Sequence, residues 1–206
     1  MVVEINKNCL IEFMINLEYL IYLYNELLKK DYILDMVSKI ILVGMMGAGK
    51  TTIGKLLSNK LGFDFIDLDK IIEEKSGVKI NTIFEIEGEA GFRDRELQVL
   101  SDSIEKDQVI ISTGGGIVTN EKSKARLIKN NALIIYLKAN LQTLFNRLKN
   151  DNSRPILNVD NKEQVIKKIL EEREPLYQDL SDMVVDTSHM KSIDVVKFIM
   201  KKMDTL

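Results

Sequence analysis

Residues 39–57, KIILVGMMGAGKTTIGKLL, combine an apolar run, a glycine-rich turn and a helix-like segment. Three of the chain's 11 glycines fall within six positions here, at Gly44, Gly47 and Gly49. Glycine weakens helices and strands, so this cluster indicates a backbone that turns tightly or approaches a ligand closely. Residues 44–51 also fit the pattern G-x-x-x-x-G-K-[ST], and the flanking strand and helix supply the context that this pattern requires.

That pattern predicts a phosphate-binding loop. Its backbone N–H groups and the N-terminus of the following helix favour phosphate oxygens. Lys50 is placed to reach the terminal phosphates, and the hydroxyl of Thr51 is placed to bind Mg²⁺. The predicted ATP-binding residues of this loop are Gly47, Ala48, Gly49, Lys50, Thr51 and Thr52. Motors, GTPases and small-molecule kinases share such a loop, so the molecule that accepts the phosphoryl group has to be inferred from other residues.

The rest of the chain alternates short apolar runs with longer amphipathic segments. The runs are 39–44, 63–69, 108–114, 132–138 and 183–188. The helix-like segments are 50–61, 70–75, 88–106, 121–130, 141–150, 162–179 and 192–202. Strands that are apolar throughout and alternate with helices predict an α/β fold of three layers, with a five-stranded parallel sheet flanked by helices.

Composition narrows the classes of function. A chain of 206 residues with a net charge of −2 predicts one compact domain and no broad nucleic-acid or membrane binding. A single cysteine, Cys9, excludes an intramolecular disulfide and agrees with a cytoplasmic protein. A single histidine, His189, excludes multi-histidine metal sites, and a Ser-His-Asp triad would need His189 itself. We therefore expect a carboxylate as the general base.

Residues 1–38 do not fit the alternation and predict a separate helical extension before the domain at 39–206. Apolar residues recur there at helical spacing, but polar residues interrupt them too often for a membrane span, which needs about 20 predominantly apolar residues. We expect this helix to pack on the domain or on a second copy of the chain. The alternative is that it lies outside the translated core, with Met36 as the start.

Two further motifs follow apolar runs and carry the acceptor chemistry. Asp67 and Asp69, in DLD, place two carboxylates at the carboxyl end of the second run, one suited to Mg²⁺ and one to a substrate hydroxyl. The alternative is an acidic N-cap that opens a helix at Lys70. Three consecutive glycines, residues 114–116, indicate backbone close to a ligand, although a tight turn would also use them.

Arginine is used sparingly in this chain. There are six arginines among the 29 basic residues, and the first is Arg93. Arg93, Arg154 and Arg173 are therefore candidates for planar, bidentate binding of carboxylate or phosphate. The two prolines, Pro155 and Pro175, lie just after two of them. Surface solvation is the alternative for any single arginine.

In this order and at these spacings, the motifs GMMGAGKTTIGKLL, DLD, IFEIEGEAGFRDRE, TGGGIV, RPIL and REPLY resemble the shikimate kinase family. That family has the P-loop fold of the nucleoside-monophosphate kinases, and the resemblance runs from about residue 39 to the C-terminus. It implies ATP-dependent phosphorylation of the 3-hydroxyl of shikimate, giving shikimate 3-phosphate and ADP, a step of chorismate and aromatic amino-acid biosynthesis.

The resemblance also implies roles for individual residues. Those implied to bind shikimate are Asp69, Arg93, Glu96, Gly114, Gly115, Gly116 and Arg173. Phe84 and Phe92 match aromatic residues near that pocket, and Arg147 matches a residue near the adenine. Asp67 would join Thr51 at the Mg²⁺ site. Arg154 would reach the phosphates from a mobile lid at about residues 149–161, so that Lys50, Asp69 and Arg154 form the catalytic set.

Two other functions remain open at the level of sequence. A kinase of another hydroxylated acid, such as gluconate, or of a nucleotide would share the phosphate loop and the arginines. A non-catalytic nucleotide-binding regulator would use the N-terminal helix to dock a partner, but it would not need the acceptor-side residues. We expect ATP and shikimate as the partners of a monomer, with self-association through the N-terminal helix as the alternative.

Overall fold

A computed structural model describes residues 37–149 and 161–205, together with Leu20, Ile21 and Tyr24, which are helical. The predicted lid and Arg154 lie outside the described residues, as does most of the predicted N-terminal helix. The division at residues 38 and 39 therefore stays a prediction. In the ranges that the structure describes, none of the helices has the length and apolar content needed to cross a membrane.

Five strands form one parallel sheet, as the alternation predicted. In chain order they are β1 (Lys39–Val43), β2 (Asp64–Asp67), β3 (Val109–Ser112), β4 (Leu133–Lys138) and β5 (Met183–Asp186). Their order in the sheet is β2-β3-β1-β4-β5, with every pairing parallel. The central strand β1 is buried on both faces, because Ile40 and Leu42 point to one layer of helices and Ile41 and Val43 to the other.

Helices cover both faces of the sheet. They are α1 (Lys50–Leu61), α2 (Leu68–Ser76), α3 (Ile80–Ile104), α4 (Glu121–Ile128), α5 (Leu141–Leu148), α6 (Lys162–Leu180) and α7 (Ser192–Met203). A 3-10 turn spans Ile117–Thr119. Helices α1 and α7 pack on one face through residues such as Leu57 and Ile199, and α2 to α6 pack on the other through residues such as Leu100 and Ile166.

Several predicted boundaries shift by one or two residues, and two corrections on the acceptor side affect the site. The second strand ends at Asp67 rather than at residue 69, because the Asp67 carboxylate accepts a hydrogen bond from the Lys70 backbone (3.4 Å) and opens α2 at Leu68. Helix α3 begins at Ile80, before the predicted start at residue 88. Gly88 interrupts it with φ 68° and ψ −173°, so α3 consists of two segments, 80–87 and 89–104, that meet at a kink.

Candidate active site

The phosphate loop depends on three glycines whose backbone lies outside the usual range of other residues. The φ angles of Gly44, Gly47 and Gly49 are 138°, 78° and 99°. Residues with a Cβ rarely adopt such values, so glycine is needed for the loop to leave β1 and enter α1 directly. A cavity of about 380 Å³ opens over this loop, and all six residues predicted from the pattern, from Gly47 to Thr52, line it.

Lys50, the first residue of α1, folds back over the loop. Its Nζ donates hydrogen bonds to the carbonyl oxygens of Gly44 (2.7 Å) and Met45 (3.0 Å). The side chain is largely buried, yet it lines the cavity. The Lys50 cation thus lies at the base of the cavity, next to the N-terminus of α1, and this arrangement favours binding of an anion.

Thr51 and Asp67 meet at the edge of the same cavity. The Thr51 hydroxyl donates a hydrogen bond to Asp67 Oδ2 (2.7 Å), while Oδ1 of the same carboxylate caps α2. Both sequence interpretations of Asp67 are therefore compatible, since one oxygen caps the N-terminus of α2 and the other faces Thr51.

These two oxygens fit a magnesium ion. With its proton directed at Asp67, the Thr51 hydroxyl keeps a lone pair for a cation, and hard oxygen ligands are those that Mg²⁺ prefers. Among the described residues there is no cluster of three or more acidic, histidine or cysteine side chains that could hold a metal. Mg²⁺ commonly takes one or two protein ligands and completes its shell with water and phosphate oxygens, so a small donor set suits it.

Arg147, in the last turn of α5, fixes its guanidinium group at the rim of the nucleotide cavity. It donates to the carbonyl oxygens of Gly47 (2.8 Å) and Thr187 (3.1 Å). The Thr187 hydroxyl in turn lies within donating distance of two backbone oxygens, those of Ala48 (3.2 Å) and Lys138 (3.1 Å). Thr187 was not identified from the sequence, because no local pattern marks a residue whose partners lie so far away in the chain.

A second, larger cavity adjoins the first. It has a volume of about 810 Å³ and shares Met46, Thr51, Asp67, Asp69 and Gly115 with the nucleotide cavity. Most of the residues predicted for the acceptor side line it, namely Asp69, Phe84, Phe92, Arg93, Gly114, Gly115, Gly116 and Arg173. The rings of Phe84 and Phe92 lie 4.8 Å apart across the kink in α3 and form its apolar wall.

Arg93 is held between two carboxylates. Its Nη1 donates to Glu96 Oε2 (2.7 Å), while Nε and Nη2 both donate to Glu89 Oε1 (3.3 and 3.0 Å). Burial acts to lower the pKa of Arg93, but the two carboxylates outweigh it and the pKa is raised. Glu96 is fully buried, and burial raises the pKa of its carboxyl; the nearby Asp69 adds to this shift and Arg93 partly offsets it.

The triple glycine lies against both of these groups. A Cβ added to Gly114 would lie 2.3 Å from Glu96 Oε1, and one added to Gly116 would lie 2.0 Å from Arg93 Nη2. At Gly115 the nearest atom would be the backbone nitrogen of Met46, at 3.1 Å. Glycine is therefore favoured here by close approach to the chain's own side chains and backbone, and the predicted approach to a ligand stays a prediction. The segment also turns, since Ile117 N donates to Gly114 O (3.3 Å).

Arg173 and Tyr177, one turn apart on α6, both donate hydrogen bonds to the backbone of the triple glycine. Arg173 Nη1 donates to the carbonyl oxygen of Gly115 (3.1 Å), and the buried Tyr177 hydroxyl donates to the same oxygen. The Tyr177 ring stacks on Tyr136 of β4, with centroids 5.1 Å apart. Tyr177 and Glu89 both lie in motifs that carried the family resemblance, REPLY and IFEIEGEAGFRDRE, but no feature of those motifs singles them out.

A phosphate loop beside a cavity that presents an aspartate and two arginines defines a P-loop phosphotransferase with a small acceptor. The family model described as shikimate kinase matches residues 46–204. The shikimate kinase of Bordetella avium is 43% identical over 164 residues, covering 80% of this chain and 78% of that protein. The shikimate kinase of Francisella tularensis subsp. holarctica is 42% identical over 167 residues, covering 81% and 92%. This chain belongs to the shikimate kinase family.

Solved structures agree with that assignment. The shikimate kinase of Acinetobacter baumannii in complex with shikimate has a TM-score of 0.79 and 36% identity, covering 82% of this chain and 94% of that one. A gluconokinase from Sinorhizobium meliloti has a TM-score of 0.53 with 13% identity, a likeness of fold alone. The P-loop kinase fold predicted from the motifs is confirmed.

Proposed function

We propose that the chain transfers the γ-phosphoryl group of ATP to the 3-hydroxyl of shikimate where its two cavities meet. ATP-dependent phosphorylation of shikimate, a step of aromatic amino-acid biosynthesis, is the activity of its family. The observation that carries the proposal is that Thr51, Asp69 and Gly115 line both cavities, so a terminal phosphate and a hydroxyl can approach each other there. Phosphoryl transfer depends mainly on such positioning and on charge stabilisation.

On the nucleotide side, the backbone of residues 47–52 surrounds the phosphates, and Lys50 turns from its two carbonyl partners to the transferring group. Arg147, fixed at the cavity rim, lies beside the adenine. Thr51 and Asp67 hold Mg²⁺, which neutralises charge on the phosphate oxygens when bound. Arg154 is assigned to the same phosphates by family resemblance alone and stays a prediction, because it lies outside the described residues.

On the acceptor side, the ligand carries one carboxylate and several hydroxyl groups. Arg93 and Arg173 bind the carboxylate, since guanidinium groups recognise it through paired N–H donors. Asp69 aligns the 3-hydroxyl and accepts its proton, because it lies where the two cavities join. Glu96 holds Arg93 in place through their 2.7 Å hydrogen bond, and the glycines let the backbone approach the ring.

The alternative functions have less support. A non-catalytic binder would not need Asp69, Arg93 and Arg173 around a second cavity, yet the structure brings these three together. The likeness to a gluconokinase extends to the fold and carries no argument about substrate. The predicted monomeric state, the cytoplasmic location and the packing of the N-terminal helix stay predictions.

An ADP-release assay run in parallel with shikimate, gluconate and nucleoside monophosphates tests the acceptor, and we expect rapid turnover with shikimate. Replacement of Arg93 or Arg173 by Lys keeps the charge but removes the planar fork. Because a charge-assisted hydrogen bond contributes about 1.5–3 kcal/mol, kcat/KM for shikimate should fall about tenfold to a hundredfold or more. ATP binding measured without shikimate should barely change.

Arg126→Lys is the matched control, because Arg126 pairs with Glu105 and lines neither cavity. It should leave kcat/KM for shikimate and the binding of ATP unchanged. If Arg93→Lys and Arg173→Lys weakened ATP binding and left the KM for shikimate unchanged, these arginines would belong to the nucleotide and a different acceptor would have to be sought.

A further inference from the structure

We propose that Glu89 occupies the substrate-carboxylate position of Arg93 when shikimate is absent and is displaced when shikimate binds. Glu89 thereby lowers the affinity for shikimate and favours acceptors that bring a carboxylate of their own. This inference rests on the proposed function, in which Arg93 binds the carboxylate of shikimate.

The argument begins with the edges of the Arg93 guanidinium group. A carboxylate is recognised best by two N–H groups along one edge of the plane. The edge formed by Nη1 and Nη2 faces the triple glycine, because a Cβ on Gly116 would lie 2.9 and 2.0 Å from those two atoms. Nη1 also donates to Glu96. The edge left for a ligand is the one formed by Nε and Nη2.

Glu89 occupies that remaining edge. Its Oε1 accepts from Nε at 3.3 Å and from Nη2 at 3.0 Å, so a single carboxylate oxygen bridges the two donors. Glu89 also lines the second cavity, of about 810 Å³, beside Phe92 and Arg93. An incoming carboxylate that used both donors would have to take the place of this oxygen.

The two carboxylates that hold Arg93 differ in their access to water. The Glu96 side chain is fully buried and the Arg93 side chain is 12% exposed, whereas the Glu89 side chain is 62% exposed. Glu89 can rotate outward and regain its hydration. Glu96 cannot, because its carboxylate would remain buried without the Arg93 partner. Glu96 is therefore the fixed partner of Arg93, and Glu89 is the exchangeable one.

The exchange has a consequence for specificity. An acidic ligand replaces one carboxylate on Arg93 by another, so the charge balance around the buried guanidinium group is retained. A neutral polyol offers hydroxyl groups in exchange for an ion pair and leaves Arg93 with less compensation. Glu89 thus selects for acids while it competes with them.

The test compares Glu89→Gln with Glu85→Gln by calorimetric titration of shikimate without nucleotide. Both changes remove one negative charge from the exposed surface of α3, but Glu85 lines neither cavity. Exposed ion pairs are weak, so we expect Glu89→Gln to bind shikimate about twofold to fivefold more tightly. Its KM for shikimate should fall in parallel, with kcat and the affinity for ATP unchanged. Glu85→Gln should match the parent chain.

Either of two results would overturn the inference. Weaker binding in Glu89→Gln would mean that Glu89 positions Arg93 for the substrate, and unchanged binding would mean that the contact does not compete. Arg93→Lys, titrated alongside, separates these results from a failure of the proposed function. If Arg93→Lys weakens shikimate binding while Glu89→Gln does not tighten it, only the role of Glu89 is lost. If Arg93→Lys has no effect on shikimate binding, both proposals fail.

Discussion

The two glycine-rich loops of the active site, residues 44–49 and 114–116, use glycine for different physical reasons. In the first loop, the φ angles of Gly44, Gly47 and Gly49 lie in the positive region that other residues avoid. In the second, none of the three glycines has a positive φ, but each added Cβ would approach a neighbour at 3.1 Å or less. All three glycines of the first loop are needed because of the loop's own backbone, although a Cβ on Gly44 would also lie 2.5 Å from the Leu137 carbonyl oxygen. In the second loop, glycine is favoured only because of what packs against it.

This difference determines how well each loop can be recognised from sequence and which ligand's binding each substitution should weaken. A conformational requirement is local, so it leaves a pattern in consecutive residues. A requirement for close approach depends on Glu96 and Arg93, which come from α3 and are distant in sequence. A change in the first loop should therefore weaken nucleotide binding, and a change in the second should displace Glu96 and Arg93, which we propose to serve the acceptor site.

The largest expected effect belongs to the first loop. Lys50→Ala removes the cation at the base of the nucleotide cavity, and kcat should fall by about two to three orders of magnitude or more, because preorganised charge stabilisation is lost. Circular dichroism should show an intact fold. Lys60→Ala, in the exposed last turn of α1, is the control and should keep full activity. Near-normal kcat in Lys50→Ala would contradict the assignment of the phosphate loop.

A smaller effect, on the KM for shikimate, is expected from the hydrogen bonds that α6 donates to the second loop. Tyr177→Phe removes one of the two donors to the Gly115 carbonyl oxygen, and a hydrogen bond contributes about 0.5–1.5 kcal/mol. We expect the KM for shikimate to rise about threefold to tenfold, with the affinity for ATP alone unchanged.

Tyr136→Phe is the matched control for Tyr177. The Tyr136 hydroxyl is buried and has no hydrogen-bond partner within the described part of the chain. Its loss should leave the KM for shikimate unchanged. If both variants lowered the melting temperature and neither moved the KM, the role of Tyr177 would be confined to packing.

The smallest expected effect concerns the free energy of unfolding contributed by Glu96, whose carboxylate packs on Gly114. Because the pKa of Glu96 is raised above its ordinary value of 4.5, the folded chain binds this proton more tightly than the unfolded chain does. The stability that the group contributes is therefore fully present below about pH 4.5 and is lost as pH rises through the folded pKa.

Denaturant unfolding of the parent chain and of Glu96→Gln across this pH range measures the difference in unfolding free energy. That difference should fall with rising pH, by no more than about 1.4 kcal/mol per pH unit. A difference that increased with pH would show that Arg93 dominates and that the pKa is lowered.

The sequence predicted the sheet and the phosphate loop well, because both leave local patterns. The runs around Ile41 and Ile111 are apolar throughout, as buried parallel strands require, and the pattern at Gly44 to Thr51 includes its structural context. The strand and helix boundaries near Asp67 were predicted wrongly because Asp67 serves two purposes. Its carboxylate both caps α2 and accepts a hydrogen bond from Thr51.

Most of the residues predicted for the acceptor side line one cavity, but their arrangement could not be predicted from the sequence. Segment 80–87 of α3 was missed because Gly88 predicts an end to a helix, whereas here it forms a kink inside one. The contacts of Gly115 with Arg173 and Tyr177 span 58 and 62 positions, so no local pattern encodes them. Family resemblance predicted roles for Arg93 and Glu96, but the place of Glu89 required the geometry of the guanidinium edges.

The most direct test of the account is to titrate a nucleotide analogue and shikimate separately into Gly47→Ala and Gly116→Ala. At Gly47 a side chain is strained by the φ of 78°, and at Gly116 it collides with Arg93. We predict that Gly47→Ala binds nucleotide at least about tenfold more weakly and shikimate almost normally, with the reverse in Gly116→Ala. If both variants weakened both ligands equally, the two loops would not serve separate ligands and the account would be wrong.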